Sequence, residues 1–85
     1  MWGAATAAYQ VEGDNRYADW WHWEKKSGKE NSGPACRHYE LYEMDFDLAK
    51  GLHHNAHRLS VEWSRVEPEN GKFSEEALQH YRDVL

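Results

Sequence analysis

The segment NAHRLSVEWSRVEP, Asn55 to Pro68, constrains the fold most, because its side chains alternate in character. Alternation with a period of two is typical of a β-strand, and here we predict the strand from Ala56 to Trp63. One face is apolar except at its first position and consists of His57, Leu59, Val61 and Trp63. The other face is mostly polar and consists of Ala56, Arg58, Ser60 and Glu62.

Helical patterns flank this strand on both sides, which indicates βα units and a parallel sheet covered on both faces. On a covered strand, Arg58, Ser60 and Glu62 need partners, since an unpaired buried charge costs several kcal/mol. The interior of a barrel around a site supplies such partners. An edge strand whose polar face meets water is the alternative.

The segments before this strand are predicted as a strand, a loop and a helix. Trp2 to Gly13 consists mainly of small residues between two glycines, and we expect a tightly packed strand that enters a loop. Asp14 to Pro34 is predicted to be mostly loop, and its length suggests part of a site's wall. From about Ala35 to Leu52 a helix is predicted to lie on the sheet; its apolar residues are Tyr39, Leu41, Tyr42, Phe46, Leu48, Ala49 and Leu52.

After the strand, the segment Glu69 to Lys72 is predicted to be a turn, and Ser74 to begin a second amphipathic helix. The predicted order is therefore strand, loop, helix, strand, helix, which is βαβα and typical of the α/β class. A sheet of two strands with bare edges is not expected to be stable alone. We therefore expect residues 1–85 to be part of a single larger domain.

Composition excludes several classes of partner. The formal net charge of −5 argues against nucleic acid, and no stretch approaches the roughly 20 apolar residues of a membrane span. No basic and apolar leader precedes Trp2, and Cys36 is the only cysteine, so no internal disulfide forms. A reducing, cytoplasmic location is expected.

Aromatic residues are unusually frequent, with five Trp and five Tyr, and three of the Trp lie in the segment DWWHW, Asp19 to Trp23. Such clusters usually belong to a core. They also occur at carbohydrate sites, where flat rings stack on sugars and polar neighbours bind the hydroxyls. Composition alone leaves both interpretations open.

Five ordered segments together resemble the amino-terminal quarter of glycoside hydrolase family 1, the β-glucosidases, β-galactosidases and their relatives. The segments are WGAATAAYQVEG, DWWHWE, SGPAC, HYELYEMDFDLAKGL and NAHRLSVEWSRVEP. The resemblance implies the first two βα units of a (β/α)8 barrel, incomplete in this chain. It also implies a retaining glycosidase without a cofactor, acting on a small β-glycoside or oligosaccharide.

In this family a general acid/base Glu and a nucleophilic Glu lie about 5 to 5.5 Å apart, in Asn-Glu-Pro and Glu-Asn-Gly motifs on later strands. Residues 1–85 thus hold no catalytic carboxylate, and the chain alone is expected to be inactive. Two positions carry over. Gln10 matches the Gln whose amide binds hydroxyls of the reacting sugar, and Arg58 matches the Arg beside the nucleophile, which favours its charged form.

Departures from the family pattern are small. Met1 stands where the family usually has a hydrophobic residue following several others, which leaves an upstream start open. Arg37 replaces an Asp that is common in the family's Cys-Asp-His-Tyr run, a change that touches no catalytic role.

Other interpretations of the residues are weaker. The run from Val66 to Gly71 contains the letters of both catalytic motifs, but Val66 precedes Glu67 where Asn is required, so we reject Glu67 and Glu69 as the catalytic pair. A metal site at His53 and His57 is disfavoured, because the predicted helix ends near Leu52 and His57 belongs to the strand, so the two side chains do not share a helical face. A non-catalytic carbohydrate-binding module and a truncated reading frame without function of its own remain as alternatives.

Overall fold

The computed structural model describes residues 1–85, which form two strands and five helices. These are β1 (Gly3–Ala5), α1 (Ala8–Val11), α2 (Asp19–Lys26), α3 (His38–Gly51), β2 (Ala56–Arg58), α4 (Trp63–Val66) and α5 (Glu75–Val84). None of the five helices combines the length and apolar character needed to span a bilayer.

The two strands are parallel, as predicted, and Gly3 lies opposite Ala56. The ladder continues beyond both ends of the strands: the Asn55 backbone N–H donates to the Trp2 carbonyl at 2.9 Å, and the Thr6 N–H donates to the Arg58 carbonyl at 2.9 Å. A Cβ on Gly3 would lie 2.0 Å from the Ala56 carbonyl oxygen. Glycine is therefore required where the two backbones approach this closely.

The predicted strand Ala56 to Trp63 is too long, because β2 ends at Arg58 and a helix begins at Trp63. The only neighbour of β2 is β1, which ends at Ala5, so the residues beyond Arg58 have no ladder to join. Glu62 instead caps α4, its carboxylate accepting from the Ser64 N–H at 3.3 Å and the Ser64 hydroxyl at 2.8 Å.

Two other boundaries differ from the prediction. Within Trp2 to Gly13 the strand has only three residues, and the alanine-rich part that follows forms α1, whose Ala8 N–H donates to Ser60 Oγ at 2.8 Å. Within Asp14 to Pro34, predicted to be mostly loop, α2 occupies Asp19–Lys26. The acidic residue in its first turn and the basic residues in its last turn complement the helix dipole and favour a helix. In the sequence pattern, the flanking glycines outweigh this signal and indicate a loop.

Helix α3 confirms the helix predicted from about Ala35 to Leu52, with narrower bounds. Arg37, at its amino-terminal cap, forms an ion pair with Glu40. The predicted apolar stripe divides in two. Its aromatic and alanine positions are partly buried, whereas the leucines that were expected to widen it are exposed; these are Leu41, Leu48 and Leu52.

The predicted turn and the second helix are confirmed. Glu69 and Lys72 form an antiparallel bridge across Gly71, whose φ is +79°. Ser74 Oγ accepts from the Ala77 N–H at 3.1 Å at the start of α5. Helix α5 packs on α4 and brings Tyr81 into the interior.

The best-connected part of the interior is polar. The buried Glu12 carboxylate accepts from Arg65 Nε at 2.9 Å, and from the Tyr81 hydroxyl at 2.8 Å and 3.0 Å. The Arg65 guanidinium also donates to the Gly13 carbonyl and lies 3.9 Å from the centroid of the Tyr39 ring. This cluster, Glu12–Arg65–Tyr81, joins the end of α1 to α4 and α5, and so fixes the short helix that carries Gln10.

Candidate active-site face

The chain's candidate site lies at the carboxyl ends of the two parallel strands. Gln10 is the third residue of α1, directly after β1, and its side chain lines an open hollow of about 610 Å³. That volume is in the usual range for ligand pockets. The other lining residues are Ala7, Tyr9, Trp20, Glu24, Ser32 and Ala35.

Glu24 holds the wall of the hollow together. Its Oε2 accepts a hydrogen bond from the Tyr9 hydroxyl at 2.8 Å and from the Ser32 backbone N–H at 3.1 Å. Burial, together with the neighbouring Glu24 carboxylate, raises the pKa of the Tyr9 phenol, which therefore stays a hydrogen-bond donor. These contacts tie α1, α2 and the following loop to one another around Gln10.

The aromatic residues of α2 divide between the interior and the surface. Trp21 is buried and belongs to the core. Trp20 and Trp23 are about half exposed and meet edge to face, with ring centroids 5.0 Å apart. Only Trp20 of the three lines the hollow beside Gln10.

Arg58 ends β2 at the same edge of the sheet, and its side chain is exposed. The polar residues that follow it find partners in the chain, Ser60 with the Ala8 N–H and Glu62 with Ser64. The Arg58 guanidinium forms no hydrogen bond or ion pair within residues 1–85, and it does not line the hollow of Gln10. The structure thus places both predicted residues at one edge without joining them in one cavity.

The two rejected carboxylates have structural roles in the turn. Glu67 accepts from the Gly71 N–H at 2.8 Å and from Trp63 Nε1 at 3.0 Å, and these hydrogen bonds lower its pKa. Glu69 pairs with Lys72 at 3.0 Å. A lowered pKa is the opposite of what a general acid needs, which argues against Glu67 in that role. No group of three or more His, Cys, Asp or Glu residues is arranged to hold a metal ion.

Comparison with protein families gives one match along the whole chain: the model described as glycosyl hydrolase family 1 matches residues 1–85. The chain belongs to glycosyl hydrolase family 1. Among curated members of the family, β-glucosidase A of Acetivibrio thermocellus is 35% identical over 92 residues, covering 96% of this chain and 20% of its own. The β-galactosidase of Pyrococcus woesei is 35% identical over 83 residues, 80% of this chain and 16% of its own.

Solved family 1 structures confirm the predicted fold, the first two βα units of a (β/α)8 barrel. A β-glycosidase from Pyrococcus horikoshii superimposes with a TM-score of 0.90 at 48% identity, covering 99% of this chain and 20% of its own. The β-glucosidase of Thermotoga maritima in complex with azafagomine superimposes with a TM-score of 0.83 at 30% identity, covering 99% of this chain and 22% of its own. The chain spans about one fifth of the length of the family 1 relatives it matches.

Sequence reasoning about this family 1 chain named Gln10, and it named the DWWHW segment with Trp20 as one interpretation of a carbohydrate site, but it singled out neither Tyr9 nor Glu24. A signal for Glu24 was present. Trp20 and Glu24 are four residues apart, which places them on one face of a helix, but that spacing has meaning only once α2 is identified as a helix.

Proposed function

We propose that these residues supply the first two βα units of a retaining β-glycosidase that hydrolyses terminal β-linked glucosides or related glycosides. The observation that carries this proposal is the position of Gln10, in an open hollow after the first strand of a chain that belongs to glycosyl hydrolase family 1. In parallel barrels, the loops at this edge of the strands hold the reacting groups.

Gln10 is proposed to bind hydroxyls of the sugar whose glycosidic bond is broken. Its amide offers a donor and an acceptor, which matches the two roles of neighbouring hydroxyls. The Tyr9–Glu24 hydrogen bond holds the segment next to it, so the amide is presented from a fixed helix rather than a loose loop.

Arg58 is proposed to lie beside the nucleophilic Glu, which a segment outside residues 1–85 contributes. The nucleophile attacks the anomeric carbon while the acid/base Glu protonates the leaving oxygen, and water then hydrolyses the glycosyl-enzyme. A guanidinium beside the nucleophile keeps it ionised, and the Arg58 side chain has no competing partner in this chain.

For the whole enzyme we propose a small β-glycoside or oligosaccharide as substrate, no cofactor, no nucleic-acid partner and a cytoplasmic location. Membership of glycosyl hydrolase family 1 supports the glycoside substrate, the net charge of −5 argues against nucleic acid, and the single Cys36 supports a reducing location. Cell fractionation followed by an activity assay tests the location.

A non-catalytic carbohydrate-binding module is the second candidate, and the half-exposed Trp20 and Trp23 favour it. Against it stand the few buried residues, 9 of 85, since an independent module needs a core of its own. If the 85-residue chain alone bound a sugar and unfolded cooperatively, these two results would favour the carbohydrate-binding module.

The deciding experiment begins with the DNA on both sides of the codons for Met1 and Leu85. We expect an open frame that continues for several hundred codons and encodes an Asn-Glu-Pro and a later Glu-Asn-Gly. The protein from that frame should hydrolyse an aryl β-glucoside or β-galactoside with retention at the anomeric carbon, measured by proton NMR. A stop codon after Leu85, or inversion of configuration, would refute the proposal.

A further inference from the structure

We propose that Trp20 determines substrate specificity, by stacking its indole on the second pyranose ring of a β-linked saccharide whose first ring is bound at Gln10. This inference rests on the proposed function and extends it from the reacting sugar to the next ring. It assigns an oligosaccharide, rather than a glycoside of a small alkyl alcohol, as the preferred class of substrate.

The position of Trp20 carries the first step. Trp20 and Gln10 line the same hollow of about 610 Å³, so a saccharide bound at one extends toward the other. Four of the five tryptophans are exposed, and of these only Trp20, at 56%, lines the hollow with Gln10. An exposed indole beside an amide has the composition of a sugar site, with a flat apolar face and a hydroxyl-binding group.

The indole of Trp20 already packs against a neighbouring ring before any ligand binds. Trp20 lies in the first turn of α2, and its backbone N–H donates to Asp19 Oδ1 at 2.8 Å. The ring of Trp23, one turn further, packs edge to face against it, with an interplanar angle of 87°. A platform held in this way loses little conformational entropy when a sugar ring stacks on it.

The carboxylate of Glu24 indicates that the ring stacked on Trp20 is a sugar rather than an apolar ring. It lines the hollow with Trp20 on the same face of α2, and its Oε2 is occupied by Tyr9 and Ser32. Oε1 forms no hydrogen bond within the chain and is free to accept from a hydroxyl group. Because an apolar aglycone would leave this carboxylate oxygen without a partner, the lining favours a pyranose.

The test uses the full-length enzyme and two substrates that differ only in the second ring. These are cellobiose and methyl β-glucoside, or lactose and methyl β-galactoside if the enzyme prefers galactose. We expect Trp20→Ala to raise KM for the disaccharide roughly tenfold and to leave kcat/KM for the methyl glycoside within about twofold. Trp20→Phe, which keeps a flat ring, should recover most of the loss. The matched control is Tyr17→Ala, at an exposed aromatic residue outside the hollow, and it should leave KM and kcat/KM unchanged for both substrates.

Three results would overturn the inference. Equal losses on both substrates would make Trp20 a structural residue, and an unchanged KM for the disaccharide would exclude stacking. A loss on an aryl glycoside without a loss on the disaccharide would assign the platform to an apolar aglycone. Failure of the proposed function looks different, because the unmodified enzyme would then hydrolyse none of these substrates, which overturns both.

Discussion

Among single residues, Gln10 is the position where the proposed chemistry can be tested most directly. In the full-length enzyme, Gln10→Ala should lower kcat/KM about 100-fold, since it removes two hydrogen bonds of about 1 to 1.5 kcal/mol each. Because Gln10 is exposed, the melting temperature should not change. Gln79→Ala, an exposed glutamine on α5, is the control. A variant that keeps full activity would remove Gln10 from the sugar site.

Arg58 should control the acid side of the pH–rate profile. If its charge stabilises an ionised nucleophile, Arg58→Met raises the pKa of that carboxyl group, and the acidic limb of kcat/KM moves up by about one pH unit. Arg58→Lys keeps a positive charge and should move the limb less. An activity loss without any shift of the limb would mean that Arg58 serves packing or binding rather than the charge of the nucleophile.

At the level of secondary-structure elements, the Glu12–Arg65–Tyr81 cluster, which joins α1, α4 and α5, should contribute most to the stability of this part of the barrel. Arg65→Met leaves the buried Glu12 carboxylate without its cation, and we expect a loss of about 3 kcal/mol. The measurement is the midpoint of urea unfolding of the full-length protein. Arg82→Met, on the exposed side of α5, should leave that midpoint unchanged. Equal midpoints for the wild type and Arg65→Met would show that the cluster is not needed for stability.

Contact between α3 and α5 should make stability depend on pH through His80. Its ring stacks on Tyr39 at 3.6 Å between centroids, and burial, followed by the nearby Arg65, lowers the His80 pKa below 6.5. As the pH falls below about 6.5, the unfolded chain takes up the proton first, so stability decreases toward acid. In the full-length protein, His80→Phe should flatten the dependence of the melting temperature on pH between pH 7 and 5, whereas His22→Phe, at an exposed position, should not. The same slope in both variants would contradict this assignment.

Elements differed in how well the sequence predicted them, and length explains most of the difference. Helix α3 shows its apolar repeat over several turns, and α5 adds a Ser74 cap. Helix α4 has four residues, too few for any repeat, and α2 lies between glycines that indicate loops. Gln10 followed from the resemblance alone. The hollow around it could not be predicted, because only tertiary packing brings Tyr9 of α1 to Trp20 and Glu24 of α2.

As a whole, the molecule exposes too much apolar surface to be stable by itself. Thirteen large hydrophobic residues are exposed, including Leu41 and Leu48 of α3 and Leu52 directly after it, and only 9 of 85 residues are buried. With two strands and so small a core, burial does not offset the ordering of the backbone, which costs about 1 to 2 kcal/mol per residue.

The isolated 85-residue chain should therefore unfold without a cooperative transition, and it should show no hydrolase activity, because we propose that both catalytic carboxylates lie outside it. Circular dichroism during heating and an aryl glycoside assay test the two statements, and the full-length enzyme is the control. A sharp melting transition at any temperature would contradict the first statement, and measurable turnover the second.

The register of the sheet has a consequence for synthesis on the ribosome. Gly3 pairs with Ala56, so β1 leaves the ribosome 53 residues before its partner. At about 5 to 20 residues per second, the first strand waits roughly 3 to 10 s with its backbone unpaired. Its sequence, Gly-Ala-Ala, lacks the β-branched and aromatic side chains that make a waiting strand aggregate. The small residues that let the two backbones meet in the folded sheet thus also keep β1 inert until β2 has been made.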